Sequence, residues 1–221
     1  MAVRTRILQT EMVTHNVRHY RVEKPKNFAF VPGQATELSI DNPDWQDEKR
    51  PFTFTSLPED PTLEFTIKSY LDHDGVTKAL WDCQAGDHLL LRDAWGTIAY
   101  QGPGTFIAGG AGVTPFIAIL RQLNANGDMA GNRLIVSNQT EQDIILREEF
   151  EAMAGLETIW TVTNDKSSPL SQGRIDSDFL KAHIADVTQK FYLCGPDAMV
   201  ADLRSSLEGL GADVSSLTWE K

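Results

Sequence analysis

The sequence predicts two domains: an antiparallel β-barrel in residues 1–100 and an α/β domain with a doubly wound parallel sheet in residues 101–221. In the first hundred residues, short runs of alternating polar and apolar side chains are separated by turn residues, a pattern typical of a small antiparallel barrel. After the turn-rich stretch Gln101–Gly104, continuous apolar runs alternate with helical segments, which indicates a doubly wound sheet. A chain of 221 residues is long enough for two such cores.

The elements of the barrel follow from this alternation and from turns such as Pro32-Gly33 and Asn42-Pro43. The predicted strands are Val17–Val22, Ala35–Ile40, Phe52–Thr55, Leu63–Tyr70 and His88–Leu91. One short helix, opened by Gly75, is predicted at Val76–Asp82.

The elements of the second domain follow from its apolar runs, because strands buried on both faces carry few polar residues. The predicted strands are Thr105–Ala108, Arg133–Ser137, Thr158–Val162, Lys190–Leu193 and Ser216–Trp219. The predicted helices between and after them are Thr114–Asn126, Ile144–Ala154, Ser177–Ala185 and Asp197–Leu210.

Charge and composition exclude several classes of partner. The net charge is -11, with 11 basic against 15 acidic residues in 1–100 and 9 against 16 in 101–221. Nucleic acid and anionic lipid are therefore not expected as partners, because both bind clustered Lys and Arg. No apolar run reaches the roughly 18 residues of a membrane helix, so no membrane insertion is expected.

Two cysteines, Cys83 and Cys194, lie far apart in the chain and in different predicted domains. This usage favours a reducing compartment, and a cytoplasmic location is expected. Two cysteines cannot supply the four thiolates of an iron–sulfur cluster, and no metal site is expected.

The first motif is Arg50-Pro51-Phe52-Thr53. An arginine can donate two parallel hydrogen bonds to a pyrophosphate, and an aromatic residue two positions on shares its strand face and can pack on a flat ring. Further along, Gly75-Val76-Thr77 places a glycine turn at a helix start, where backbone amides can approach a phosphate. Taken alone, this motif is better explained without a ligand, with Arg50 in a surface ion pair and Phe52 as an ordinary strand residue.

The second and third motifs lie in the α/β domain. Gly110-Ala111-Gly112-Val113-Thr114-Pro115 follows an apolar strand and opens a helix, as a dinucleotide-binding turn does, but Pro115 replaces the usual third glycine. Cys194-Gly195-Pro196 follows another strand, and the carboxyl ends of parallel strands are where such sheets bind ligands. A structural glycine turn and a buried structural cysteine are the alternatives.

In this order, the motifs resemble those of the ferredoxin-NADP reductase superfamily, and the resemblance runs from about residue 5 to the C-terminus. It implies an oxidoreductase that binds FAD and NAD(P)H and carries no iron–sulfur domain. It identifies residues 50–53 with the family's Arg-x-Tyr-Ser motif, so that Arg50 binds the pyrophosphate, Phe52 stacks, and the hydroxyl of Thr53 lies near flavin N5.

The resemblance also assigns the remaining flavin contacts. Gly75, Val76 and Thr77 match the family's Gly-x-x-Ser turn for the flavin pyrophosphate. The end of the preceding strand contacts the ribityl or adenosine part in the family, and here it reads Lys68-Ser69-Tyr70. For Tyr70, a half-exposed aromatic without a ligand is an equal alternative. FAD is favoured over FMN because Arg50 and the Gly75 turn offer two separate donors for a diphosphate.

In the α/β domain the resemblance implies that the Gly110 turn binds the dinucleotide pyrophosphate through Gly110, Gly112, Val113 and Thr114. Cys194 would lie against the nicotinamide ring and align it without acting as a nucleophile. The residues that follow it, Gly195, Pro196 and Asp197, would also belong to this cofactor-binding run. Many family members end in Glu-x-aromatic; here Glu220 matches the glutamate, which implies a role in positioning or proton handling, and the sequence then stops.

The segment Ser137–Asp143 bears on the choice of nucleotide. The family's NADPH enzymes place Arg or Lys here, whereas this segment has no cation and contains Glu141 and Asp143. Carboxylates repel a 2′-phosphate. NADH is therefore expected to be preferred over NADPH, with Asn138 as a cofactor contact and with Lys166 and Arg174 as cations that could reverse the preference.

The leading hypothesis is an FAD-dependent NAD(P)H reductase that passes electrons to a separate acceptor. A ferredoxin or flavodoxin would need a basic docking patch, for which the candidates are Arg18, Arg21, Lys24, Lys26, Lys49 and Arg50. One alternative is a free-flavin or ferric reductase with a small acceptor. Another, from a different class, is a non-catalytic flavin or nucleotide sensor or an assembly subunit.

Overall fold

The computed structural model describes residues 2–96 and 98–219. Its contacts divide the chain into two compact units. The first comprises Met1–Gly96 with Thr114–Gln122, and the second comprises Thr97–Val113 with Leu123–Lys221. The predicted boundary at residue 100 stays a prediction.

Six antiparallel strands form the sheet of the first unit, in the order β4-β3-β6-β1-β2-β5. They are β1 (Val3–Thr14), β2 (Val17–Glu23), β3 (Ala35–Ile40), β4 (Arg50–Thr53), β5 (Thr62–Lys68) and β6 (His88–Trp95). The two edge strands approach each other where Thr55 N, just after β4, donates to Glu64 O on β5 at 2.8 Å. This bond continues the sheet around its core, and the predicted antiparallel barrel is confirmed.

Apolar side chains fill the interior of the barrel. Phe54 and Phe65 are fully buried, and the rings of Phe30 and Phe54 stack with centroids 4.3 Å apart. Helix α1 (Val76–Asp82) has the predicted bounds and packs Val76 and Leu80 into this core. Strand β1 lies outside the predicted strands, because few of its side chains are buried and the alternation that marks a half-buried strand is weak.

Six parallel strands form the sheet of the second unit, in the order β10-β9-β8-β7-β11-β12. They are β7 (Gly104–Gly109), β8 (Arg133–Asn138), β9 (Glu157–Val162), β10 (Ser171–Gln172), β11 (Lys190–Cys194) and β12 (Leu217–Trp219). The helices are α2 (Thr114–Asn126), α3 (Arg147–Glu151), α4 (Ser177–His183) and α5 (Asp197–Gly209), of which Thr114–Gln122 of α2 is counted with the first unit. The predicted parallel α/β fold is confirmed.

Two differences from the predicted elements have local causes. Helix α3 is shorter than the predicted helix at Ile144–Ala154, because Leu146 has a left-handed backbone (φ 52°) that an α-helix cannot continue through. A 3-10 turn at Glu141–Asp143 precedes it. The two-residue strand β10 was not predicted, because it has no apolar run that would mark a buried strand.

The strand order reverses at the centre of the parallel sheet. From β7 the chain proceeds outward through β8 and β9, and it then returns to the other side of β7 with β11. In open α/β sheets, ligands bind beyond the carboxyl ends of strands at such a reversal. This position lies between Gly109 at the end of β7 and Cys194 at the end of β11.

None of the described helices has the length and hydropathy that a membrane-spanning helix requires.

Candidate functional site

At the carboxyl edge of the parallel sheet, two turns interlock. An added Cβ on Gly112 would lie 2.7 Å from the Cα of Gly195 and still closer to the backbone carbonyl of Cys194, a distance that real Cβ atoms do not show. An added Cβ on Gly109 would lie 2.5 Å from Met199 Sδ and 2.9 Å from Pro196 Cδ. The structure thus brings the second and third sequence motifs together, and close packing explains the glycine at 112.

Helix α2 begins directly after the first of these turns. Gly110–Val113 forms a 3-10 turn, in which Gly110 has a left-handed backbone (φ 53°), and α2 follows at Thr114 with Pro115 in its first turn. Val113, the N-cap residue, offers no side-chain cap. Proline suits the first turn because it has no amide there that needs a partner.

Cys194 lies at the end of β11 and is 6% exposed, while Cys83 is buried in the barrel core, and no disulfide joins them. Desolvation raises the pKa of the Cys83 thiol to about 11. Cys83 is therefore a neutral core residue.

Asn138 ends β8 beside the Gly110 turn. Its carbonyl accepts a bond from Thr163 N at 3.0 Å, and its Oδ1 lies 3.9 Å from the position of a Cβ on Gly110. The side chain is buried, and its Nδ2 has no hydrogen-bond partner among the described residues. A buried amide donor without a partner costs free energy. A polar ligand at this edge would satisfy it, so the residues present fit a nucleotide.

The segment after β8 is acidic but internally paired. Asp143 accepts bonds from both the amide and the hydroxyl of Thr140, at 2.9 and 2.7 Å. Glu141 contacts Arg147 at 2.7 Å and accepts a bond from Ser168 at 3.0 Å, and its amide donates to Asp165 at 3.4 Å. Three carboxylates therefore cluster around this segment.

Arg147 is a residue that the sequence reasoning missed. It also bonds Glu151 at 2.8 Å, and these carboxylates, Glu151 first and Glu141 second, raise the pKa of its guanidinium. The i,i+4 spacing of Arg147 and Glu151 was the available signal. Because two carboxylates hold Arg147, its charge is already balanced and does not reverse the acidic character of the segment.

In the barrel, Arg50 begins β4 with its side chain about half exposed. Its NH1 donates to Lys49 O at 2.7 Å, and its NH2 lies 3.5 Å from the equally exposed carboxylate of Glu48. Such a surface ion pair contributes little stability. Phosphate oxygens can therefore replace Glu48 as the partner of this guanidinium at little cost.

Phe52 and Thr53 follow on the same strand, and both are partly buried. Phe52 packs against the barrel core, and Thr53 pairs with Ala35 on β3. The next three residues, Phe54, Thr55 and Ser56, are at most 1% exposed. The strand thus leads directly into a buried segment of the barrel.

The end of β5 and the Gly75 turn meet through one hydrogen bond, which Tyr70 N donates to Thr77 Oγ1 at 3.4 Å. Ser69 is 2% exposed, and its Oγ has no partner among the described residues. Tyr70 is 54% exposed, and Lys68 Nζ lies 5.9 Å from the centre of its ring. Like Asn138, Ser69 supplies a buried polar atom that a ligand would satisfy.

Gly75 caps α1 with an extended backbone (φ -166°), and an added Cβ there would meet nothing within 4 Å. Val76 points into the core. The Gly75 turn therefore has open space on one side and a fixed helix on the other, which suits a bulky phosphate group.

Glu220, expected to act near Cys194, lies outside the described residues. Arg18 was predicted as part of a basic docking patch on the surface, and this prediction is wrong. Arg18 is buried and bonds the carbonyls of Trp81 and Cys83 and the hydroxyl of Thr10. The alternation of polar and apolar residues suggested an exposed side chain, but the aliphatic part of an arginine can pack inside a barrel.

Comparison with known families decides the identity. A model described as an FAD-binding domain matches residues 2–92, and a model described as an oxidoreductase NAD-binding domain matches residues 106–205. The two lie side by side in the order that the motifs predict. The chain belongs to the ferredoxin-NADP reductase superfamily.

Individual superfamily members resemble the chain over most of its length. NADH-cytochrome b5 reductase 1 of Pyricularia oryzae is 29% identical, and the match covers 90% of this chain and 72% of the relative. The ferredoxin–NAD(P)(+) reductase component of the naphthalene 1,2-dioxygenase system of Pseudomonas putida is 27% identical, with 93% of this chain covered. The chain spans 64% of the length of that relative.

Solved structures show the same superfamily fold. The FAD/NAD-binding domain of nitric oxide dioxygenase from Vibrio cholerae has a TM-score of 0.88 at 19% identity, covering 100% of this chain and 98% of that one. A ferredoxin NADP+ reductase from Neisseria gonorrhoeae with bound FAD and NADP has a TM-score of 0.86 at 21% identity, covering 99% and 98%. As a member of this superfamily, the protein is an oxidoreductase whose cofactors are FAD and a nicotinamide nucleotide.

Proposed function

We propose that the protein oxidises NADH, stores the electrons on FAD and delivers them to a separate acceptor. The observation that carries this proposal is the interlocked pair of turns at the reversal point of the parallel sheet, beside the unsatisfied amide of Asn138. A pure binding protein would have no need for a thiol packed at this edge. FAD, when bound, supplies the hydride acceptor and the one-electron chemistry.

One set of side chains, all in the barrel, binds FAD. Arg50 and the Gly75 turn hold the flavin pyrophosphate, Phe52 packs on the ring system, and Thr53 presents a hydroxyl near N5. The buried hydroxyl of Ser69 and the side chains of Lys68 and Tyr70 contact the ribityl or adenosine part.

The nucleotide side is built from the other two motifs. Gly110, Gly112, Val113 and Thr114 receive the pyrophosphate, while Asn138 donates its unsatisfied amide. Cys194, with Gly195, Pro196 and Asp197, packs against the nicotinamide and aligns it, since hydride transfer depends on orientation.

The experiment is anaerobic reduction of the purified, FAD-loaded protein. We expect a yellow protein whose flavin absorbance bleaches on addition of NADH within one turnover. A protein that binds FAD but is not bleached by NADH or NADPH is a sensor or assembly subunit, and this outcome rejects the reductase.

We further propose a preference for NADH over NADPH of about tenfold in kcat/KM. A 2′-phosphate beside Glu141, Asp143 and Asp165 would lack a free cation at a cost of about 1–3 kcal/mol, and about 1.4 kcal/mol is tenfold. Asn138→Arg should narrow the gap. Wild-type preference for NADPH would contradict the proposal and point to Lys166 or Arg174, both exposed, as the cation that reaches the phosphate.

A small acceptor, such as free flavin or a ferric chelate, is the second candidate for the oxidising substrate. It is favoured because three cations of the expected docking patch already have partners within the barrel or are buried. Arg18 is buried, and Arg21 pairs with Glu64 at 3.3 Å. Lys24 bonds the carbonyls of Pro58 and Asp60. Turnover with free FMN at a rate independent of ionic strength supports this acceptor. Turnover with an acidic ferredoxin that falls as salt is added supports the protein acceptor.

A further inference from the structure

A charged cluster in the first unit joins α2 to the barrel next to Thr53. Arg121 lies two turns into α2, its side chain is 23% exposed, and its NH1 donates to Thr55 O at 2.6 Å. The same nitrogen lies 3.4 Å from Glu64 Oε2 on β5. One guanidinium nitrogen therefore holds both the chain leaving β4 and the strand that pairs with it.

Glu64 reinforces this connection through its backbone. Its carbonyl accepts the amide of Thr55 at 2.8 Å, and its own amide donates to Ser56 Oγ at 3.1 Å. The Thr55 peptide is thus bonded on its amide side by β5 and on its carbonyl side by Arg121. Thr55 is 1% exposed, so its carbonyl has no access to bulk water that could replace the arginine.

Three basic side chains surround the carboxylate of Glu64: Arg121, Arg21 and His19. Its Oε1 lies 3.3 Å from Arg21, and its Oε2 lies 3.5 Å from His19 Nε2. Burial lowers the pKa of His19, and the positive charges of Arg121 and Arg21 lower it further against the opposing effects of Glu64 and Glu11. His19 is therefore neutral at pH 7, and the two arginines are the cations that balance Glu64.

We propose that Arg121 is a positioning residue for the flavin reaction: it fixes the chain at Thr55 and thereby sets the position of the Thr53 hydroxyl two residues earlier. This inference rests on the proposed function for the role of Thr53. Loss of the guanidinium would leave the Thr55 carbonyl buried without its donor and allow the end of β4 to shift. A displacement of about 1 Å can cost up to 100-fold in rate.

The test uses three variants in the full chain, each loaded with FAD. Arg121→Met removes the donor and keeps an aliphatic side chain of similar length. Arg121→Lys retains a charged nitrogen, which suffices if one nitrogen makes both contacts. Arg133→Met is the matched control, because Arg133 is 26% exposed and likewise bonds a carbonyl, that of His183, and a carboxylate, that of Glu157, but in the parallel sheet.

Two readouts distinguish positioning from general stability. The first is the 15N NMR shift of flavin N5, which reports its hydrogen bond without any turnover, with Thr53→Val as the reference for a lost hydroxyl. We expect Arg121→Met to move the shift in the direction of Thr53→Val, Arg121→Lys to restore it in part, and Arg133→Met to leave it unchanged. An N5 shift unaffected by Arg121→Met overturns the inference, and so does one unaffected by Thr53→Val.

The second readout is the limiting rate of anaerobic flavin reduction by NADH. We expect Arg121→Met to slow it about tenfold in the wild-type background and to have no further effect in the Thr53→Val background, because both changes act through the same hydroxyl. Equal slowing in both backgrounds overturns the inference. If the wild-type flavin is not reduced at all, the proposed function fails, and the N5 shift still decides the role of Arg121.

Discussion

At the scale of single residues, two unsatisfied polar atoms are the most informative feature of the molecule. Ser69 Oγ and Asn138 Nδ2 are buried without partners among residues 2–96 and 98–219. Buried polar groups are nearly always hydrogen-bonded, so each exception calls for an explanation. Both lie where the sequence motifs predict a cofactor, one in each unit, and we propose that FAD and a nucleotide supply the missing partners.

Arg50→Ala should weaken FAD binding by about 30- to 160-fold, because a bidentate cation–phosphate contact contributes roughly 2–3 kcal/mol. The measurement is the dissociation constant by ultrafiltration, together with the FAD content of the purified protein. Arg6→Ala is a suitable control, since Arg6 also makes one exposed ion pair, with Glu23 at 2.8 Å. Stoichiometric, tightly bound FAD in Arg50→Ala would remove Arg50 from the site.

Cys194→Ala should keep its FAD and slow hydride transfer by about tenfold or more, because the role that we propose for the thiol is to align the nicotinamide and not to bind the flavin. Stopped-flow reduction by NADH under anaerobic conditions measures the effect. Cys83→Ala, which alters the other buried cysteine, should reduce at the wild-type rate. Equal rates for wild type and Cys194→Ala would make Cys194 a structural residue only.

At the scale of elements, the two turns beyond β7 and β11 act as one unit. The sequence motif at Gly110–Pro115 suggests that its glycines make room for a phosphate. The structure adds a second reason for Gly112, because the backbone of Cys194 and Gly195 occupies the space where its side chain would be. The nucleotide turn and the cysteine turn therefore keep their relative position through direct backbone packing.

Gly112→Ala should destabilise the protein by about 1–3 kcal/mol, as overpacking does, and should weaken NADH binding because the Cys194 turn must move. Thermal unfolding and NADH titration measure the two effects. Gly209→Ala is the matched control: its added Cβ meets nothing within 4 Å, so its stability should be unchanged or slightly higher. A fully stable Gly112→Ala with normal NADH affinity would show that the two turns do not depend on each other.

At the scale of the whole molecule, the contacts of the chain do not follow the order of its sequence. Thr114–Gln122 of α2 belongs to the first unit, although the turn before it and the residues after it belong to the second. The bond from Arg121 to Thr55 lies within this first unit. The chain thus passes from the second unit into the first and back within one helix.

FAD binding should therefore protect α2 as well as the barrel. A ligand that binds only the folded state stabilises it by about 2.7 kcal/mol at a free concentration 100 times its Kd. Hydrogen exchange measured by mass spectrometry should show slower exchange on FAD addition in peptides from β2, β5 and residues 116–122, with less change in β9. If FAD slows hydrogen exchange in α2 no more than in β9, then FAD binding does not stabilise α2 together with the barrel.

The sequence by itself determined the class of both folds, most of the element positions and the cofactor motifs. These rest on local signals: the period of apolar side chains, the glycines and prolines of turns, and short motifs whose spacing carries the chemistry. Helix α1 and helix α2 have the predicted bounds for this reason. The sequence did not predict strand β10, because two paired residues leave no local pattern, nor that the helix predicted from Ile144 begins only at Arg147, because nothing local marks the left-handed backbone of Leu146.

Only the tertiary structure decided which of the chemically capable residues are used. Arg18, Arg21 and Lys24 read as a surface patch, yet one is buried and the others have partners within the barrel. Arg121 has no signal in the sequence that separates it from other helix residues, and the sequence could not show that the buried amide of Asn138 would lack a partner among the described residues. The carbonyl of Thr55, which Arg121 bonds, lies 66 positions away in the sequence, and only folding brings such groups within hydrogen-bond distance.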